Sequence, residues 1–434
     1  MRRRVSLLLI LLIGPVAFAA GPIDRIDAIG RDAIAHHNTP GLAIGVMRHG
    51  EIVFAEGYGL ADLENNIPVT AHSSFPIASV TKNITAAAIL QLASTGALSL
   101  DDDIGAFLPD FPHRNEGVTI RRLLDNTAGI HSFTAIPAYW AQVGEPIEPS
   151  KLIAFFLAAP LDFPPGTAYS YSNSGYVLLG AVIEKVSGIS YSEYLRAHLF
   201  AGLHDTAYCG NDAIVPRRVR GYTKSGAQFV NARHVDMSQG FAAGGVCSSV
   251  HDLLRWDDML HRGTLLPKTS YAEMVTPAAG HSYALGIGVG SNGSHRVLYH
   301  AGGISGFDAM VTHYPDDDVS IVVLSNSDGE LAGEIESRVA RIVLGIHAPT
   351  AVPLTKEERE RFVGKYAGRG GDVSLILHDG AFMLEGAADS PIKLTYIGGG
   401  TFAEDDAPEI VTIDGTSLRV THYGAVRFEG KHVP

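Results

Sequence analysis

The chain has 434 residues, with 33 lysines and arginines against 46 aspartates and glutamates, for a formal net charge of −13. So acidic a surface argues against nucleic acid and anionic membrane as partners, because both are bound through clustered cations. The length suggests two or three folding units. Arg2, Arg3 and Arg4 precede an apolar run, Val5 to Val16, and Ala17-Phe18-Ala19 fits a small-residue cleavage site. Residues 1–19 therefore read as a secretory signal peptide, with an apolar part too short to span a bilayer. The expectation is a periplasmic or secreted protein with no stable membrane anchor after cleavage. The only two cysteines, Cys209 and Cys247, either pair in an oxidising compartment or stay apart as buried thiols.

Residues 23–38 carry Ile23, Ile26, Ile29, Ala33 and Ile34 on one side of a predicted amphipathic helix, which Pro40-Gly41 ends. Leu42 to Met47 and Ile52 to Ala55 follow as a hairpin around His49-Gly50. A long apolar segment opens at Phe75-Pro76-Ile77-Ala78-Ser79-Val80-Thr81-Lys82 and runs as a helix to Ser94-Thr95-Gly96. The Asp101-Asp102-Asp103 run caps a following helix or is solvated. It lacks the spacing of a calcium loop. Residues 118–130 read as helix and loop, and 150–158 and 174–199 as helices. Strands are expected at 283–289, 296–299, 308–314 and 319–325, then a helix at 329–344. Residues 346–355 look like a linker. Beyond it, hairpins around Asp379-Gly380 and Asp414-Gly415 form a small all-β domain, residues 356–434. The order gives an α/β (α+β) domain over residues 20–345, with a central antiparallel sheet and an inserted all-α region.

Ser79 and Lys82 stand at i and i+3, so a helix starting near Ser79 places them on one face. A serine hydroxyl attacks only when a neighbouring base takes its proton, and a buried lysine can serve as that base. The helix N-terminus adds N–H groups where an oxyanion would form. Alone, such a tetrad is more often a helix start with a capping serine. Ser390-Pro391-Ile392-Lys393 matches the pattern too, with a proline inside and no helical run behind it. Two further motifs separate the two tetrads. Tyr171-Ser172-Asn173 follows the turn Phe163-Pro164-Pro165-Gly166-Thr167, and His300-Ala301-Gly302-Gly303 follows the strand-like Arg296–Tyr299.

Ser-x-x-Lys, Tyr-x-Asn and His-x-Gly in this order resemble the penicillin-recognising serine hydrolases. The nearest subgroup is that of class C β-lactamases and D-alanyl-D-alanine carboxypeptidases, with its esterase and D-aminopeptidase relatives. The resemblance runs from about residue 25 to about 345. It implies Ser79 as nucleophile, Lys82 bonded to Ser79 and Tyr171, and Tyr171 as general base. The last role requires a phenolate, held by Lys82 and His300 below the usual phenol pKa. Asn173 would bind Lys82 and the substrate amide, and His300 would stand where many relatives carry lysine. Gly302 would let the strand approach the substrate, and the N–H groups of Ser79 and Gly303 would form the oxyanion hole. The small barrel or lipocalin-like appendage of some relatives resembles the expected tail. In Leu123-Leu124-Asp125-Asn126-Thr127-Ala128-Gly129-Ile130, Asn126 and Ala128 replace a histidine and a serine usual in relatives, which weakens the expected support behind the nucleophile.

No Gly-x-Ser-x-Gly elbow, His-Glu-x-x-His pair, phosphate loop or dinucleotide fingerprint is present, so no cofactor and no metal are expected. His36-His37 and His131 are isolated. The leading expectation is a secreted serine hydrolase of a small-molecule or short-peptide substrate: a D-amino-acid peptide, an ester or a β-lactam. A true β-lactamase is one alternative. A silent peptidoglycan- or peptide-binding protein is the other.

Overall fold

The computed structural model describes residues 21–433, except 211–212, 369–370, 388–390 and 405–407. The expected signal segment and Ser390 of the second tetrad lie outside the described residues.

The first helix, Pro22–Ala35, starts with proline in its first turn and Asp24 turned back on the Gly21 amide. It buries Ile26, Ile29 and Ala33. Behind it lies a seven-stranded antiparallel sheet, in the order Ile67–Pro68, Glu51–Asp62, Gly41–Arg48, Val319–Ser325, Phe307–Tyr314, His295–Ile304 and Gly288–Asn292. The chain's two halves join at its centre, where the register runs from Leu42↔Ser325 to Arg48↔Val319. Nearly every residue of these two strands is buried, so the sheet is covered on both faces. Pro22–Ala35 and Leu331–Leu344 cover one face. The helical region, with Thr81–Ser94 and Val250–His261, covers the other.

Three elements differ from expectation. The strand expected at 283–289 begins only at Gly288, because Gly286 (φ +79°) turns the chain just before it. That turn frees Tyr283 to enter the site described below. The helical stretch 174–199 is two helices, Asn173–Ser187 and Tyr191–His198. Gly188 stops the first in a left-handed cap, and a Ser190–Glu193 capping box restarts the chain. The three aspartates divide their work: Asp103 caps the turn Ile104–Ala106, Asp102 accepts the Ser99 amide, and Asp101 pairs with Arg121 at 2.8 Å.

The cysteines are bonded, with Cα atoms 5.6 Å apart, both fully buried. Cys247 lies in Val246–Ser248, which pairs with Phe75–Pro76 just before Ser79.

Past residues 346–355, a short helix that the sequence reading lacked, Lys356–Phe362, is capped by Thr355 and Glu358. Eight antiparallel strands then close into a barrel, from Gly364–Gly368 to Ala425–Val433. The barrel core includes Leu375, Leu384, Phe402, Val411 and Leu418. One barrel turn reaches into the main domain. Tyr423 (φ +49°) is fully buried, and its hydroxyl donates to the buried Glu336. Thr312 Oγ1 at 2.6 Å and Tyr314 OH at 3.0 Å also donate to Glu336. Burial pushes the Glu336 carboxyl above its usual range, and these three donors offset part of that cost. The Tyr423 carbonyl takes the Ser291 amide at 3.0 Å. Beside it Gly290 has no room for a Cβ, which would stand 2.0 Å from that carbonyl.

Candidate active site

The site gathers where the helical region meets the edge of the sheet. Phe75–Pro76 is pinned by Val246–Ser248, and the Ile77 amide adds a bond to the Val246 carbonyl at 3.0 Å. Ala78 then takes a left-handed conformation (φ +43°) that few residues with a Cβ adopt. The turn Ala78–Val80 presents Ser79, and the α-helix runs from Thr81 to Ser94. Ser79 and Lys82 fall on one face, as their spacing predicts.

Lys82 is fully buried. Its Nζ lies 2.8 Å from Asn173 Oδ1, 2.8 Å from the Ala243 carbonyl and 3.0 Å from Ser79 Oγ. It also sits 4.8 Å from the centre of the Tyr171 ring. Burial lowers its pKa far below the usual lysine value. The bonding fits a neutral amine. Asn173 Oδ1 and the Ala243 carbonyl only accept, so they use its two N–H bonds. Its lone pair is left for the Ser79 hydroxyl.

Asn173 is oriented from its other end, where Nδ2 donates to Thr134 Oγ1 at 3.1 Å. Ser132 Oγ accepts its backbone N–H at 3.3 Å. The substituted Asn126 supports this loop directly. It is buried in a left-handed conformation (φ +61°), its Oδ1 takes the Ser172 amide at 3.1 Å, and its carbonyl takes the Ser170 amide at 3.0 Å. The support expected to be weak at this position is therefore present, supplied by an amide.

Tyr171 stands beside Lys82 and keeps 38% of its surface exposed. Desolvation raises its pKa, and the neighbouring Ser79 hydroxyl offsets only part of the shift. His300 is buried too, and its pKa falls to about 3, through burial first and, when Lys82 carries its proton, through that charge second. Its Nδ1 lies 2.7 Å from the Ala301 carbonyl, which can only accept, so that nitrogen carries the proton. Nε2 then accepts the Tyr283 hydroxyl at 2.9 Å. The phenolate expected at Tyr171 called for two cations beside it. In the structure burial dominates at Lys82, Tyr171 and His300, and each is displaced toward its neutral form.

His300, Ala301, Gly302 and Gly303 lie inside the strand His295–Ile304. The edge strand covers it only as far as Tyr299↔Gly288, so His300–Ile304 offers an open edge. A Cβ on Gly302 would stand 2.2 Å from the Ile77 carbonyl, whereas Gly303 has open space. Glycine at 302 is what lets this strand lie against the Ser79 turn. Beside Ser79 opens a pocket of about 130 Å³, with Phe133, Tyr139, Trp140 and Val143 on one wall and Gly303, Ile304 and Ser305 on the other. A larger hollow of about 490 Å³ elsewhere, near Arg121 and Glu273, holds none of the three motifs.

Tyr283 and Thr134 had no signal in the sequence. One titratable cluster also escaped the motif search: Asp257, His261 and His313, with ligand atoms within 4.8 Å of one another. The two imidazoles stack at 3.9 Å and 8°, each nitrogen lying in its own ring plane. Such planes do not converge on one ion. Asp257 instead bridges both rings at 3.2 Å, as a buried hydrogen-bond network.

A family model described as Beta-lactamase matches residues 26–344. Penicillin-binding protein 4* of Bacillus subtilis is 28% identical over 353 residues, covering 73% of this chain and 77% of its own. A D-aminopeptidase of Brucella canis is 26% identical over 422 residues, covering 94% and 77%. The D-amino acid amidase of Ochrobactrum anthropi, solved with D-phenylalanine, superimposes with a TM-score of 0.67 at 25% identity, covering 75% of this chain and 99% of that one.

Proposed function

Because this chain belongs to the β-lactamase family and is a serine hydrolase, we propose that it cleaves an amide or ester bond next to a D-amino-acyl residue, through an acyl-enzyme on Ser79. The observation that carries this reading is the 3.0 Å contact between Ser79 Oγ and a buried Lys82 whose other bonds are taken. Lys82, rather than a Tyr171 phenolate, removes the Ser79 proton as Oγ attacks the carbonyl. The amides of Ser79 and Gly303 take the oxyanion. Tyr171, protonated at rest, gives its proton to the leaving group and recovers one from the Lys82 ammonium. One proton thus passes, net, from Ser79 to the leaving group while the Ser79 proton itself comes to rest on Tyr171, and water entering in place of the leaving group runs the sequence in reverse to release the acid.

The D-amino-acyl assignment draws on the D-aminopeptidase and D-amino acid amidase likenesses and on the aromatic pocket beside Ser79. Export is part of the same proposal. Residues 1–19 have the pattern of a signal peptide, and a buried disulfide suits an oxidising compartment. Hydrolysis of the D and L forms of N-acetyl-phenylalanine p-nitroanilide, with wild type and Ser79→Ala, tests the reading. Turnover of the D form alone, lost in Ser79→Ala, supports it. Equal turnover of both forms removes the stereochemical assignment.

A further inference from the structure

We propose that the acyl part of the substrate carries a carboxylate, and that Arg218, Arg220 and Arg233 hold it in a pocket beside the Ser79 cleft. The inference rests on the reading of Ser79 as an acyl-transfer nucleophile and names which acyl group it takes. The pocket measures about 390 Å³, and among the described residues its lining holds these three arginines and His234 but no aspartate or glutamate. In a chain of net charge −13 that is a local reversal of sign. It opens directly from the aromatic pocket: Val235, Ile304 and Ser305 line both.

The three arginines are not equivalent. Arg220 already faces Asp62 at 3.6 Å and Glu64. Arg233 donates to the Trp140 carbonyl, on the wall of the aromatic pocket. Arg218 has no ion pair among the described residues. Asp236 adds a weaker attraction, while partial burial strips some of the guanidinium's water. A cation in that state gains most from an incoming carboxylate, which its planar fork can bind bidentately.

Geometry also says which part of the substrate arrives there. The leaving group needs a proton and must depart toward Tyr171 and Lys82. Neither residue lines either pocket, and nor does His300. The two pockets therefore receive the acyl side. Among the described residues neither pocket is lined by a carboxylate, so a free α-ammonium finds no counter-charge on their walls. Burial holds His300 toward its neutral form, so it offers an incoming anion little charge. An apolar D-residue in the aromatic pocket, N-acylated by a group with a carboxylate at its far end, satisfies both pockets.

The test compares N-glutaryl-D-phenylalanine p-nitroanilide with its N-acetyl counterpart on the full chain at low salt. The glutaryl form is expected to lead in kcat/KM by about tenfold or more, chiefly through KM, with the ratio shrinking as salt rises. Arg218→Gln should bring the ratio toward one. Equal kcat/KM in the wild type, or a ratio unmoved by both Arg218→Gln and Arg233→Gln, overturns the proposal. If neither anilide is cleaved, calorimetry with N-glutaryl- and N-acetyl-D-phenylalanine on Ser79→Ala decides. Tighter glutaryl binding that Arg218→Gln abolishes supports the pocket, and equal binding rejects it. Fluorophosphonate labelling of Ser79 in parallel reports on the acyl-transfer reading separately.

Discussion

Lys82 Nζ and Asn173 Oδ1 lie 2.8 Å apart, joining two motifs 91 residues apart in sequence. The bond fixes the amine beside Ser79 and, with the Ala243 carbonyl, uses up its N–H groups. Lys82→Ala is expected to lower kcat by about 10²–10⁴-fold, the usual worth of a positioned base. Lys82→Arg should not rescue it, because a guanidinium keeps its proton. The acid limb of kcat/KM should report loss of the Lys82 proton. Asn173→Asp puts a carboxylate at the ammonium, raises that pKa, and so moves the limb to higher pH. A limb unmoved in Asn173→Asp would detach Lys82 from the base role.

His300 gives a second pH signature, this time in stability. Its folded pKa of about 3 is below the ordinary histidine value of 6.5. The unfolded chain therefore binds the extra proton between those two values. The His300 contribution is intact above about pH 6.5 and is lost as pH falls toward 3, by at most about 1.4 kcal/mol per pH unit. Thermal melts of His300→Gln between pH 7 and pH 4.5 should show a shallower fall than the wild type. Parallel curves would contradict a neutral His300.

Gly302 and Gly303 should separate cleanly. A Cβ at 302 would meet the Ile77 carbonyl at 2.2 Å, in the segment between the strand Phe75–Pro76 and Ser79. Gly302→Ala should abolish turnover and cost about 1–3 kcal/mol of stability, as overpacking does. Gly303→Ala meets nothing within 4 Å and should melt as the wild type does.

Tyr423→Phe removes one donor from a buried carboxyl and should cost about 1–3 kcal/mol in a denaturant melt. Ser79 labelling should persist at temperatures below the transition, because Tyr423 seats the barrel on the side of the sheet away from the nucleophile's helix.

The parts of the site that the sequence displays are those with local spacing. Ser79 and Lys82 share a helix face whatever surrounds them, and the Tyr171–Asn173 turn announces itself by Pro164, Pro165 and Gly166. The charge state of the site is another matter. It depends on how deeply Lys82 and His300 are packed and on Tyr283, which arrives only because Gly286 turns the chain. Asn126 looked like a loss when judged by residue type, yet its amide oxygen meets the Ser172 amide. The barrel hairpins are visible as alternation around Asp-Gly turns. Their docking through Tyr423 is not, since Glu336 belongs to a helix 87 residues away. The disulfide likewise waits on two strands meeting across a separation of 38 residues.

Intact mass after exposure to a fluorophosphonate tests the central claim most directly, with the wild-type protein set beside Ser79→Ala and Lys82→Ala. One adduct on the wild type, none on Ser79→Ala and a much slower one on Lys82→Ala is the predicted result. An adduct of equal extent on Ser79→Ala, or none on any of the three, would contradict a nucleophile at Ser79 activated by its buried lysine.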